Sequence, residues 1–70
     1  MNWFAQHRQE WIAETLRVFG FINRQHLQSK FGISQPQAST DLTTFVRAHP
    51  HDVVYDPSAK RYVAVRRDRK

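Results

Sequence analysis

Two glycines and the apolar spacing around them set the frame of this chain. Gly20 and Gly32 are its only glycines, and each closes a run with helical spacing, where a helix ends in positive φ. Residues 23–49 then read as a short helix, a glycine turn and a longer helix. Asn23 is a good N-cap, so the short helix spans residues 24–31, with Leu27 and Phe31 facing inward at i, i+4. In the longer one, Ala38, Leu42 and Phe45 recur at i, i+4, i+7 and define an inner face, with Val46 and Asp41 at its margins. It runs over about residues 35–48 and stops before Pro50. Its first residue stays open. Ser34 and Gln37 have the spacing of a capping box, and Ile33 and Ala38 that of a hydrophobic staple. Pro36, however, pushes Gln35 out of the helical region and itself prefers the first helical position.

The flanks complete a small domain. Residues 3–19 have the spacing of a first helix, with Ala5, Ile12, Leu16 and Phe19 on one stripe and Phe4, Trp11 and Val18 on an adjoining one. This apolar face is wide: either all of it is core, or Trp3, Phe4 or Trp11 covers a second subunit or a further domain. Phe21 and Ile22 form a two-residue apolar step before Asn23. Residues 52–55 and 61–65 are rich in Val and Tyr around a turn composition at 56–60, which predicts a hairpin; Tyr62 reads as its core. The expected fold is therefore α+β, a small winged helix-turn-helix of three helices followed by a two-stranded β-hairpin wing. One domain covers residues 1–65, with a basic C-terminal tail at 66–70.

Size and composition exclude much chemistry. A chain of 70 residues buries only about 60% of its unfolded surface, leaving little room for an enclosed active site. It has no cysteine, so neither a disulfide framework nor a thiolate metal site is available. His49 and His51, around Pro50 and followed by Asp52, do not make a tetrahedral ligand set. His7 and His26 have no acid, base or nucleophile partner at readable spacing, and a phosphate-cradling glycine loop is missing. No catalytic residue, metal or cofactor is expected, and no enzyme. The N-terminus has no uninterrupted apolar run, so neither a signal peptide nor a membrane partner is expected, and the predicted location is the bacterial cytoplasm.

Charge is unevenly placed. Residues 1–59 hold five basic and five acidic groups, whereas Lys60, Arg61, Arg66, Arg67, Arg69 and Lys70 against Asp68 supply the whole net charge of +5. Such a concentration suits a polyanion, or is simply a solvated tail. Opposite the inner face of the third helix lie Thr40, Thr43, Thr44 and Arg47, with Gln37 and Ser39 on the shoulders, and no large apolar residue. In a helix-turn-helix the second helix of the unit enters the major groove, where amides and hydroxyls match base edges. Base contacts are therefore expected from Gln35, Gln37, Ser39, Thr40 and Thr43. Phosphate contacts are expected from Arg24, Ser34, Thr44, Arg47, Lys60 and Arg61, the last two tracking a backbone or entering the minor groove. Gln37 has two competing roles, reading a base or capping its own helix. The expected function is sequence-specific binding of double-stranded DNA. The alternatives are a protein-interaction module using the same face, and nonspecific nucleic-acid binding through the basic C-terminus.

A family likeness adds to this. The run Gly20-Phe21-Ile22-Asn23-Arg24, then Phe31-Gly32-Ile33-Ser34-x-Pro36-Gln37-Ala38-Ser39-x-Asp41-Leu42, then Pro50, then Tyr55-Asp56-Pro57-Ser58-x-Lys60-Arg61-Tyr62, resembles the N-terminal winged helix of WYL-domain transcriptional regulators. It looks most like the BrxR/CapW type found with bacterial phage-defence systems. The stretch 34–42 is also similar in layout to the recognition helix of DeoR-type repressors, whose paired arginines correspond here to Ser39 and Thr40. The resemblance implies a homodimeric repressor on an inverted-repeat operator. Family members usually continue into a ligand-sensing WYL domain, so the chain is expected to be an excised domain or a small free-standing relative.

Overall fold

The computed structural model describes residues 3–65, so the basic tail expected at 66–70 lies outside the described residues. Six elements follow in chain order: α1 (Trp3–Phe19), β1 (Phe21–Ile22), α2 (Arg24–Phe31), α3 (Gln35–Ala48), β2 (Val53–Asp56) and β3 (Arg61–Ala64). The two strands of the wing start or end one residue from where composition put them. The sheet is also larger than the expected hairpin. Phe21 and Ile22 form a third antiparallel strand, giving the order β1-β3-β2. In register, Phe21 faces Val63 and Ile22 faces Tyr62, while Val53 to Asp56 pair with Ala64 to Arg61. The short strand docks because Gly20, at φ 85°, turns the chain out of α1 and offers its carbonyl to the Ala64 N–H at 2.9 Å.

Ile12 and Leu16 of α1, Ile22, Leu27, Ala38, Leu42, Phe45 and Val53 are buried together as the core. Burial of a large apolar side chain contributes roughly 1.5–3 kcal/mol, so this one cluster ties three helices to β1 and β2, and β3 packs against it through half-buried Tyr62 and Ala64. The wide apolar face of α1 is only partly used. Phe19, expected on the same stripe as Ile12 and Leu16, is 69% exposed, and Trp3, Phe4 and Val18 also stand in solvent. Trp11 packs edge-on against Phe31, ring centroids 5.5 Å apart.

The caps around the turn differ from expectation in one respect. α2 has a complete capping box: Asn23 Oδ1 accepts the His26 N–H at 3.0 Å, and His26 Nδ1 accepts the Asn23 N–H at 3.2 Å. Gly32 ends the helix at φ 65°. α3 starts at Gln35 with Pro36 in its first turn, and Ser34 Oγ accepts the Gln37 N–H at 3.2 Å. The return half of that second box is not made. Gln37's side chain is engaged by Asp41, as described below.

Candidate nucleic-acid interface

The outer face of α3 is bounded on one flank by the wing and on the other by α1. On the wing side, Thr43 and Arg47 form a shallow depression of about 260 Å³ with Val46 and Tyr62. Tyr62 also walls a neighbouring polar cleft of about 160 Å³, lined by Asn23, Arg24, Ser39, Tyr55 and Lys60. The two concavities share Tyr62 as a wall at the junction of α3 and the wing. Three elements contribute cations to them: Arg24 from the first turn of α2, Arg47 from the last turn of α3, and Lys60 from the wing turn. Thr40 and Thr43 are exposed on α3, and Thr43 lines the first concavity.

Local structure fixes two of these cations. Arg24 follows the N-cap directly, at the positive end of a helix dipole where anions are favoured, and its Nη1 lies 3.5 Å from Ser39 Oγ. In the wing turn, Asp56 Oδ1 accepts the N–H groups of Ser58 at 3.0 Å and Ala59 at 3.3 Å. The chain then passes through Lys60 at φ 57°, the only non-glycine positive φ among the described residues. Glycine or asparagine is the usual occupant of this left-handed conformation. A lysine there places a strained, exposed cation at the end of the wing turn.

Other expected site residues fall elsewhere. The Arg61 guanidinium sits over the Phe21 ring, 4.4 Å from its centroid. Strand alternation points Arg61 to the sheet face opposite Tyr62, away from Lys60 and the cleft. Ser39, expected at bases, lies beside Arg24. Gln35 and Ser34 stand exposed at the α3 N-terminus, Ser34 spending its hydroxyl on the cap. Thr44 is half-buried on the α1 side of the face. Tyr62 pairs with Tyr55, ring centroids 4.9 Å apart, so it serves as wall rather than as a free stacking platform. Of the His49–Asp52 stretch, the His49 ring packs on Phe45 at 4.3 Å. The pKa of Arg17, on the α1 surface remote from this face, is raised by its hydrogen bond and Coulomb attraction to Glu14.

The flank toward α1 holds what periodicity missed. Asp41, placed at the margin of the inner face by its spacing, is only 4% exposed. Arg8 grips its carboxylate twice, Nε to Oδ2 at 2.6 Å and Nη2 to Oδ1 at 3.2 Å, and Gln9 Nε2 donates to its backbone carbonyl at 2.8 Å. Gln37 Nε2 donates to the same Oδ1 at 3.0 Å. An acid on the buried side of an amphipathic helix signals a buried partner, but nothing local names a partner 33 residues away.

A tri-helical unit carrying a hydroxyl-rich third helix beside a three-stranded sheet with a hairpin wing defines a winged helix-turn-helix domain. The chain belongs to the BrxR transcriptional regulator winged helix-turn-helix family, whose model matches residues 5–67. It is 43% identical over 61 residues to the DNA-binding transcriptional repressor CapW of Escherichia coli strain KTE188, covering 87% of this chain and 20% of that protein. The repressor CapW of Pseudomonas aeruginosa is 42% identical over 63 residues (90% and 21%), and that of Stenotrophomonas maltophilia 36% over 64 residues (91% and 21%). The chain thus spans about a fifth of the length of these curated relatives.

Proposed function

We propose that this chain is the sequence-specific double-stranded-DNA-binding domain of a transcriptional repressor. α3 lies in the major groove, and the wing rests on the adjoining backbone or minor groove. One observation carries the reading: Arg47 lines one concavity with Thr43, and Arg24 and Lys60 line a second with Ser39, both walled by Tyr62 at the junction of α3 and the wing. The names of the CapW relatives, DNA-binding transcriptional repressors, agree with it. In this arrangement Gln35, Gln37, Thr40 and Thr43 meet bases. Arg24, Ser34, Thr44, Arg47 and Lys60 meet phosphate, and Ser39 supports Arg24. Arg61 is left out because its guanidinium lies on Phe21. The repressor acts in the cytoplasm as a homodimer on an inverted repeat, within a longer protein carrying a ligand-sensing domain. The dimer is supported by the exposed Trp3, Phe4, Val18 and Phe19 of α1 and by the match between two-fold proteins and half-sites one helical turn apart.

Selection from a random duplex library at moderate salt tests this. A binding motif bound about 10³-fold or more above nonspecific DNA is expected, its symmetry reporting the dimer. Absence of any enrichment would move the face to the protein-interaction alternative. Equal binding of all sequences, lost steeply with salt, would mark nonspecific binding through the basic C-terminus.

A further inference from the structure

Gln37 lies at the α1 edge of the outer face of α3, half-buried, with its amide engaged by Asp41. An ionised carboxylate accepts hydrogen bonds and donates none. The contact between Gln37 and Asp41 Oδ1 at 3.0 Å therefore requires the amide nitrogen on the Asp41 side, and the amide cannot be flipped. Asp41 in turn is held against rotation by Arg8, which engages both carboxylate oxygens. What Gln37 has left to offer is Oε1 as acceptor and its second N–H as donor, side by side.

We propose that Arg8 and Asp41 are positioning residues for base recognition, orienting the Gln37 amide so that it reads adenine. This rests on the assignment of α3 to the major groove. Adenine shows the complementary edge, an N6–H donor beside the N7 acceptor, whereas guanine shows two acceptors there and would face Oε1 with its O6. A free glutamine rotates its amide to suit either purine. The clamp removes that choice and the rotamer entropy that goes with it before DNA arrives. Neither Arg8 nor Asp41 needs to touch the DNA, so ordinary contact reasoning assigns them no part in specificity.

The test is library selection on the full chain and three variants, with folding checked by circular dichroism and thermal melting. Wild type is expected to select adenine at one position by about tenfold, the worth of a two-pronged base contact. Gln37→Ala should relax that position alone. The paired change Arg8→Met with Asp41→Leu replaces the ion pair by apolar side chains, a swap that folded proteins tolerate, and should relax the same position while the rest of the motif persists. Asp41→Asn should turn the preference: its amide can accept from Arg8 and donate to Gln37, drawing Oε1 inward and presenting donors to guanine or thymine carbonyls. If the paired variant fails to fold, Asp41→Asn alone decides. Adenine preference persisting in the folded Asp41 variants overturns the clamp. A motif that survives Gln37→Ala at every position also overturns it, yet leaves DNA recognition standing. A wild type selecting no motif removes both.

Discussion

Lys60→Gly separates two physical effects in one residue and should move them in opposite directions. Lys60 holds φ 57°, where a side chain costs about 1–2 kcal/mol relative to right-handed backbone. Glycine escapes that cost but loses more conformational freedom on folding, giving back about 0.5–1 kcal/mol. The net expectation is a gain of about 0.5–1 kcal/mol, which for a domain of this size raises Tm by roughly 2–8 °C. The same change removes the cation that lines the cleft with Arg24 and Ser39. Affinity for DNA should fall for selected and random sequences alike, and the slope of log affinity against log salt should lessen by about 0.9, one phosphate contact. Thermal melting and titration of a fluorescent duplex at several salt concentrations give both numbers. Lys60→Asn, which also tolerates the left-handed region, serves as a control with the charge removed and a side chain kept. A lowered Tm for Lys60→Gly would refute the account of its backbone. An unchanged salt slope would refute the phosphate contact.

Two further outcomes concern stability. Arg8→Met leaves the Asp41 carboxylate, 4% exposed, without its cationic partner, and should cost about 3–5 kcal/mol. That is a large share of the roughly 0.05–0.15 kcal/mol per residue that small domains possess; urea denaturation should show the loss, and adding Asp41→Leu should recover most of it. Gly32→Ala meets no atom within 4 Å of the added Cβ at φ 65°, so its cost should be the backbone term alone: about 1–2 kcal/mol for a side chain in the left-handed region, offset by about 0.5–1 kcal/mol of conformational freedom that glycine would have lost. A substantially larger loss in the same denaturation assay would mean that the turn between α2 and α3 shifts.

A larger concavity than either of these lies away from the α3 face. It is an apolar groove of about 520 Å³ between α1 and α2, lined by Trp11, Phe19, Phe21 and Lys30 among others. Size alone therefore does not locate the interface in this domain. On the proposed reading a helix enters DNA with a convex face, and what favours the α3 face is the cations around it from α2, α3 and the wing.

The sequence by itself determined the elements and their punctuation. The repeats Leu27/Phe31 and Ala38/Leu42/Phe45, the caps Asn23 and Ser34 and the two glycines act within a few residues, through helical geometry and local hydrogen bonds, and all three helices lie where those signals put them. The face carrying Thr40, Thr43 and Arg47 was legible for the same reason, since 3.6-residue periodicity assigns both sides of a helix at once. Only tertiary structure decided what depends on distant partners. Phe21–Ile22 is too short to show a period and became a strand only because β3 lay open beside it. Arg61 follows Lys60 directly, yet strand alternation and the Phe21 ring carry it to the other side of the sheet. Asp41, at the edge of an apolar stripe, found Arg8 across 33 residues of chain and thereby settled the orientation of Gln37. Spacing could place Gln37 beside Asp41 but not supply the cation that keeps the carboxylate buried; that required α1 to pack across α3.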